Sequence, residues 1–175
     1  MITTILIVLA GIIAFVLIAA LFVKKTYIAQ GEIIINKPKQ EVFDYIKLTK
    51  NQDYYSKWVM TDPNMKKTFT GTDGTVGFIY AWDGNKKAGA GEQEIIGIKE
   101  GEREDIEVRF KRPFEGVAKM FLSTDSIAPD QTKVIWSSTG GNPYPLNLMH
   151  LFIEGMLSKD IETSLVTLKG ILEKK

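Results

Sequence analysis

Residues 146–173 read LNLMHLFIEGMLSKDIETSLVTLKGILE, with apolar side chains at intervals of three to five positions. This spacing is typical of a helix with one apolar face, so it predicts a long helix from about Leu146 to Glu173. An apolar face of this length must be buried against another apolar surface. The predicted stripe consists of Leu146, Met149, Ile153, Met156, Ile161, Leu165, Leu168 and Leu172.

The surface that receives this helix is predicted between residues 67 and 138, where short β-like runs alternate with turn sequences. Such alternation is typical of an antiparallel meander. Glycines at positions 77, 89, 91 and 97 indicate bends or bulges within the strands. The sheet is therefore expected to curve around the helix and leave a space beneath it. The six predicted strands are Lys67–Thr70, Thr75–Trp82, Ala88–Lys99, Asp105–Lys111, Gly116–Ser123 and Thr132–Ser138.

The residues before the meander predict one more strand and two short helices. The stretch from Tyr27 ends in the β-branched run Ile33-Ile34-Ile35, which favours a strand. Pro38 suits the first turn of a helix, and residues 51–65 indicate a second short helix followed by a loop. Asp62 before Pro63 is interpreted as a turn former.

The N-terminal stretch ITTILIVLAGIIAFVLIAALFV, residues 2–23, is apolar apart from two threonines. As a helix it would be about 33 Å long, against a hydrocarbon core of about 30 Å. A secretory signal peptide is the alternative, but it should have a charged start and a shorter apolar run. We therefore predict a transmembrane anchor in residues 1–25. Lys24 and Lys25 follow the run and favour a cytoplasmic position for the remaining chain.

Composition excludes several classes of function. Because the 175 residues include no cysteine and one histidine, we expect no disulfide, no metal site and no cofactor. The formal net charge of +1, without a basic tract, makes nucleic acid an unexpected partner. The sequence gives no indication of the oligomeric state.

The order of elements and several local phrases resemble the helix-grip fold of the START-like superfamily, also called SRPBCC, and especially its bacterial polyketide cyclase/dehydrase-like branch. The resemblance covers residues 26–175. It implies an α+β domain in which a curved, seven-stranded antiparallel sheet wraps around a long C-terminal helix, with two short helices after the first strand. The phrases are Ile35-Asn36-Lys37-Pro38, Gly74-Thr75-Val76-Gly77-Phe78, Gly89-Ala90-Gly91-Glu92-Gln93-Glu94-Ile95, Arg109-Phe110, Thr132-Lys133-Val134-Ile135-Trp136 and Leu168-Lys169.

The superfamily includes lipid carriers, hormone binders, cyclases and chaperone activators, so the fold does not fix the function. The expected function is a membrane-anchored module that holds an apolar or amphipathic small molecule, such as a lipid or a polyketide-like compound, between sheet and C-terminal helix. A polyketide cyclase/dehydratase-like enzyme and a chaperone-activator-like interaction module are the alternatives. The final helix departs from the branch, because Glu162-Thr163-Ser164-Leu165 stands where a glycine-leucine pair is common.

Aromatic and apolar side chains of the sheet and the last helix are the candidate ligand-binding residues, because they can line an apolar pocket with polar tips. They are Trp58, Phe78, Tyr80, Trp82, Trp136, Met149, Ile153 and Met156.

Three residues are weak catalytic candidates, and no catalytic set from the polyketide cyclases can be matched to the chain. His150 lies four positions before Glu154 and would be a general base. Glu92 and Glu94 share one strand face, where paired carboxylates can raise a pKa and provide an acid. A solvated strand face is the structural alternative for the two glutamates.

Overall fold

The predicted meander forms a seven-stranded antiparallel sheet with the strand order β1-β7-β6-β5-β4-β3-β2. The computed structural model describes residues 1–174; Lys175, the last residue of the predicted domain, lies outside them. The strands are β1 Thr26–Ile35, β2 Lys66–Thr70, β3 Ile79–Asp83, β4 Ala90–Lys99, β5 Arg103–Arg112, β6 Gly116–Ala128 and β7 Gln131–Gly141. The helices are α1 Ile2–Phe22, α2 Lys39–Ile46, α3 Gln52–Tyr55, α4 Lys57–Met60 and α5 His150–Glu173, with 3₁₀ turns at Thr49–Asn51 and Leu146–Met149. This architecture confirms the predicted α+β fold class.

The predicted strand Thr75–Trp82 is too long at its start. β3 begins at Ile79, and the preceding residues form a turn in which the Phe78 amide donates to the Thr75 carbonyl. Gly74 and Gly77 have φ values of +76° and +88°, a conformation that an extended strand does not contain.

The predicted bulges occur at two of the four glycines. The register between β4 and β5 shifts at Ala90/Gly91 and at Ile95/Gly97. At Gly91 an added Cβ would lie 2.7 Å from the Trp82 ring, so the absent side chain makes room for the indole. Gly77 and Gly89 lie outside the strands, in turns.

Helix α5 buries only the C-terminal half of its predicted apolar stripe. Ile161, Leu165, Leu168 and Leu172 are buried, and the helix packs mainly on β1, at the sheet edge. The close approach is possible because β1 has Gly31, where an added Cβ would lie 3.0 Å from Ile161 Cγ2. The N-terminal half extends past this contact, so Met149 and Met156 stay exposed.

The C-terminal end of α1 is attached to the start of α5. The Asn147 side-chain amide donates hydrogen bonds of 2.7 Å to the carbonyl oxygens of both Ala20 and Val23. These carbonyls belong to the last turn of α1, where helical partners are missing. Of the residues in α1, Ala20 alone is buried. Residues 2–22 are long and apolar enough to span a membrane, a criterion that a signal sequence also meets.

Candidate functional site

The concave face of the sheet carries an acidic side chain among apolar ones. Gly31, Trp136, Leu122 and Glu104 are successive register partners across β1, β7, β6 and β5. Because neighbouring strands are about 4.8 Å apart, the backbones of Trp136 and Glu104 lie about 10 Å from each other. Glu104 is fully buried, and so are Trp136 and Leu122. A carboxyl group therefore points into the space under the helices.

Short helices α3 and α4 cover this space with aromatic rings. The Tyr55 ring contacts the Trp136 ring edge-on at a centroid distance of 6.0 Å, and the Trp58 ring does so at 5.4 Å. Both contacts have the geometry that aromatic pairs prefer. Ser56, between the two helices, is buried, and the following Lys57 amide donates to Ser164 Oγ on α5. A hydrogen bond thus links α4, which follows Ser56, to α5.

Five buried side chains in this region have polar atoms without a hydrogen-bond partner within the described part of the chain. Buried polar atoms are almost always paired in folded proteins, so each such atom requires a reason. We call this group the inner polar cluster: Thr49 Oγ1, Gln52 Nε2, Tyr55 OH, both carboxylate oxygens of Glu104, and Trp136 Nε1.

Burial controls the protonation of the inner polar cluster. Desolvation, reinforced by the negative charges of Asp73 and Asp105, raises the pKa of Glu104 to about 9. Desolvation also raises the pKa of Tyr55 well above 10, with a further contribution from the nearby Glu104 charge. At neutral pH both groups therefore carry a proton and can donate a hydrogen bond to a polar acceptor.

A cleft of about 250 Å³ between α4 and α5 leads to Tyr55. Tyr55 lines this cleft and also belongs to the inner polar cluster. A groove of about 290 Å³ runs along α1 from Thr4 to Ile12, but a single helix supplies its wall and it encloses nothing. The residues lining the cleft are Tyr55, Lys57, Met60, Thr61, Thr163 and Thr167.

The predicted ligand-binding residues fall into three separate places. Trp58 and Trp136 lie at the inner polar cluster. Phe78 and Tyr80 pack with Ile95 in a smaller core cluster, against which Trp82 also packs. Met149, just before α5, is 43% exposed, and on α5 itself Met156 is 58% exposed and Ile153 is half-buried. Of the predicted ligand-binding residues, the two tryptophans contact each other, and the Trp136 ring also contacts Tyr55, which lines the cleft.

The three weak catalytic candidates lie away from the cleft. His150 Nδ1 is 3.0 Å from the Lys24 carbonyl oxygen, which can only accept, so Nδ1 carries the hydrogen. Glu92 and Glu94 lie on the convex face of the sheet, where Arg109 donates to both. Hydrogen bonds from Lys111 and Arg109 lower the pKa of Glu92, which keeps it ionised at neutral pH. A catalytic role for these residues stays a prediction.

Sequence reasoning missed Glu104 and Tyr55. The predicted fifth strand began at Asp105, whereas β5 begins at Arg103 and includes Glu104. With the correct boundary, alternation would place Glu104 on the same face as Ile106 and Val108, and an acid on an apolar face is a detectable signal. Tyr55 had no comparable signal, since its burial results from contacts with the distant β7.

Comparison with solved structures identifies the fold. No protein-family model matches the chain, and no curated protein matches it by sequence. Norcoclaurine synthase from Thalictrum flavum, solved with dopamine and hydroxybenzaldehyde, aligns with a TM-score of 0.67 at 9% identity, covering 90% of this chain and 91% of its own. Ara h 8.0201 aligns with a TM-score of 0.57 at 13% identity, over 86% and 99% of the two chains.

A protein from Nitrosospira multiformis aligns with a TM-score of 0.57 at 16% identity, covering 83% of this chain and 95% of its own. These identities are low, so the likeness concerns the fold and does not transfer an activity. The curved sheet, the long C-terminal helix and the short helices after the first strand are confirmed as the arrangement that these structures share. The chain therefore has the helix-grip fold.

Proposed function

We propose that residues 26–175 form a membrane-tethered binding module for an apolar or amphipathic small molecule, a lipid or a polyketide-like compound. Residues 1–25 would act as the transmembrane anchor. The ligand would enter through the cleft between α4 and α5 and place its polar end at the inner polar cluster. Lys24 and Lys25, by the positive-inside rule, favour a cytoplasmic domain.

The inner polar cluster is the observation that carries this proposal. Its unpartnered donors and acceptors lie beneath an apolar lining, which is the combination by which small-molecule sites fix the orientation of a ligand. Solved relatives of this fold include an enzyme with two small aromatic ligands, dopamine and hydroxybenzaldehyde. That precedent agrees with a small organic molecule as the ligand.

The size of the cleft sets a condition on binding. Its volume of about 250 Å³ is below the roughly 300–1,000 Å³ of typical ligand pockets. A larger ligand must therefore separate α4 from α5. The contacts to be broken are few: the Lys57 amide donates to Ser164 Oγ, and the Lys57 ammonium pairs with Asp160.

Photocrosslinking to the full chain in lipid nanodiscs tests the proposal. The probe is a long-chain fatty acid with a diazirine, and peptide mass spectrometry locates the crosslinks. We expect labelling in residues 55–61 and 163–167, which form the cleft. The variant Thr163→Trp should reduce this labelling by filling the entrance. Thr139→Trp, at an exposed position of β7, is the matched control and should leave it unchanged.

Labelling confined to α1, or equal labelling of the cleft in both variants, would contradict the binding site. Crosslinks in α1 alone would report contact with the bilayer and nothing more. Because the two regions yield different peptides, the anchor and the cleft are assessed separately in the same experiment.

An enzyme of the cyclase or dehydratase type is the second candidate, and Glu104 is the observation that favours it. A carboxyl group with a pKa of about 9 holds its proton at neutral pH and can act as a general acid. Compounds extracted from the purified wild type and from Glu104→Gln distinguish the two functions. Identical masses support a binding module, whereas loss of one water in the wild type alone supports a dehydrating enzyme.

A further inference from the structure

We propose that the end of the domain next to α1 lies on the surface of an anionic bilayer, with exposed apolar side chains of residues 144–156 inserted among the lipids. This inference rests on the proposed membrane anchor and adds a second contact, made by the folded domain itself. We call this region the membrane-facing end. It comprises the end of α1, the start of α5, and the β3–β4, β5–β6 and β7–α5 connections.

The depth of the region follows from the hydrogen bonds at the end of α1. If α1 spans the bilayer, its last turn lies at the lipid headgroups. Asn147 donates to the Ala20 and Val23 carbonyls, and His150 contacts the Lys24 carbonyl at 3.0 Å. The backbone amide of Asn142 also donates a hydrogen bond to the Lys25 carbonyl oxygen. These hydrogen bonds therefore hold the start of α5 at the level of the headgroups.

The exposed side chains of this segment are apolar except for Glu154. Phe152 is 79% exposed and Leu151 is 64% exposed, values that are costly in water for side chains of this size. The N-terminal half of the apolar stripe of α5, which does not contact the sheet, is also exposed in this segment. Exposed apolar side chains of the segment are Tyr144, Leu146, Met149, Leu151, Phe152 and Met156.

The sheet register places the β5–β6 connection, which has an exposed aromatic side chain, at the same end. Thr26 pairs with Gly141, and the neighbouring β6 begins beside the end of β7. The β5–β6 connection is therefore at this end of the sheet, and its Phe114 is 77% exposed. Aromatic side chains are enriched where protein meets the membrane interface.

The charges of the connections differ between the two ends of the sheet. At the membrane-facing end the connections carry Lys24, Lys25, Lys86 and Lys87 against two acids, Glu115 and Asp62, whose carboxylate accepts a hydrogen bond from the Asn85 amide. One further acid, Glu154, is exposed on the first turns of α5. At the opposite end they carry Asp73, Glu100, Glu102 and Asp130 against Lys37 and Lys47, and Lys47 pairs with Glu100. Basic residues close to an anionic bilayer contribute about 1 kcal/mol each. The charge asymmetry and the exposed apolar side chains therefore both indicate that this end of the domain faces the bilayer.

Single-cysteine labelling tests the inference, because the natural chain has no cysteine. The full chain, carrying Met156→Cys and an environment-sensitive fluorophore, is placed in nanodiscs that contain phosphatidylglycerol and nitroxide-labelled lipid. We expect blue-shifted emission and quenching by the nitroxide. Asp130→Cys, at the opposite end, should show water-like emission without quenching, and Ile12→Cys in α1 should be quenched.

The three positions separate the possible results. Quenching at Ile12→Cys together with water-like emission at Met156→Cys would overturn the surface contact and leave the anchor intact. Water-like emission at Ile12→Cys would contradict the anchor. A blue shift at Met156→Cys without quenching would indicate burial against a second protein copy, which also overturns the inference.

A charge-reversal variant tests the contribution of the basic residues to bilayer contact. Lys86→Glu with Lys87→Glu reverses two exposed charges of the β3–β4 connection. We expect it to reduce quenching at Met156→Cys in anionic nanodiscs and to have no effect in phosphatidylcholine nanodiscs. Equal quenching in both lipids for both forms would overturn the role of the charges.

Discussion

At the scale of single residues, Glu104 is the group with the strongest conflict between its chemistry and its environment. Its two carboxylate oxygens are buried without a partner, and burial raises its pKa to about 9. In the unfolded chain a glutamate has a pKa near 4.5. Between these two values the unfolded chain releases the proton while the folded chain keeps it, so the free energy of unfolding falls as pH rises.

The variant Glu104→Gln should remove this pH dependence, because the amide cannot ionise. The stabilising contribution of protonated Glu104 is complete below pH 4.5 and is lost up to about pH 9, at up to about 1.4 kcal/mol per pH unit. Urea unfolding of the full chain in detergent at several pH values measures the slope. Glu162→Gln, at an exposed position on α5, is the control and should behave as the wild type. Parallel slopes for Glu104→Gln and wild type would contradict the assignment.

Prediction from sequence succeeded for residues whose burial follows from the alternation of side chains along a strand. It failed for residues whose burial depends on contacts with distant parts of the chain. Phe78, Tyr80 and Trp82 occupy alternate positions, which favours one shared face, and Phe78 and Tyr80 are buried together. Glu104 was lost through a strand boundary that was two residues late. The exact length of a strand depends on its neighbours, which the local sequence does not contain.

At the scale of elements, α5 has two halves with different partners, and the boundary between them lies near Leu157. The C-terminal half is part of the main core, so Leu168→Ala should lower the free energy of unfolding by about 2–5 kcal/mol. Val166→Ala, two residues away and 62% exposed, should change it by less than about 0.5 kcal/mol. Urea denaturation compares the pair, and similar losses in both would show that this half is not packed as described.

The contact between α1 and the start of α5 depends on one side chain that donates two hydrogen bonds. Asn147→Asp keeps the shape but replaces the donor by a carboxylate, which faces the Ala20 and Val23 carbonyls. We expect faster trypsin cleavage after Lys24 and Lys25 in detergent, because cleavage requires local opening of this connection. Asn64→Asp, on an exposed loop, is the control. An unchanged cleavage rate would show that Asn147 does not hold the two helices together.

The apolar stripe predicted both the existence and the limits of the long helix, but not which surface each half contacts. Its first turn is a 3₁₀ turn, and the regular helix begins at His150. Periodicity identifies a face that avoids water. A sheet and a lipid surface satisfy that requirement equally well, so the pattern alone does not distinguish them.

At the scale of the whole molecule, the element order was sufficient to predict the fold, because a meander closed by one amphipathic helix has few compact arrangements. The relation of the domain to α1 could not be obtained in this way, since it depends on contacts between residues more than 120 positions apart. The cleft likewise results from how α4 and α5 meet. Both features belong to tertiary structure and have no local sequence signal.

The proposed orientation makes a prediction for the intact cell. Asp130→Cys, at an exposed turn far from α1, should react with a membrane-impermeant maleimide in inside-out vesicles and not in intact cells. The reason is the pair Lys24 and Lys25, which favours retention of the following chain in the cytoplasm. Reaction in intact cells would place the domain on the other side, and the binding proposal would remain open to its own test.

The pairing of β1 has a consequence for biosynthesis. This strand leaves the ribosome directly after α1, yet its hydrogen-bonding neighbour is β7 and its packing neighbour is α5, which follow it by about 100 residues or more. In the nascent chain β1 therefore has no partner strand until β7 has been synthesised, and a ribosome stalled before residue 131 would expose an unpaired strand edge.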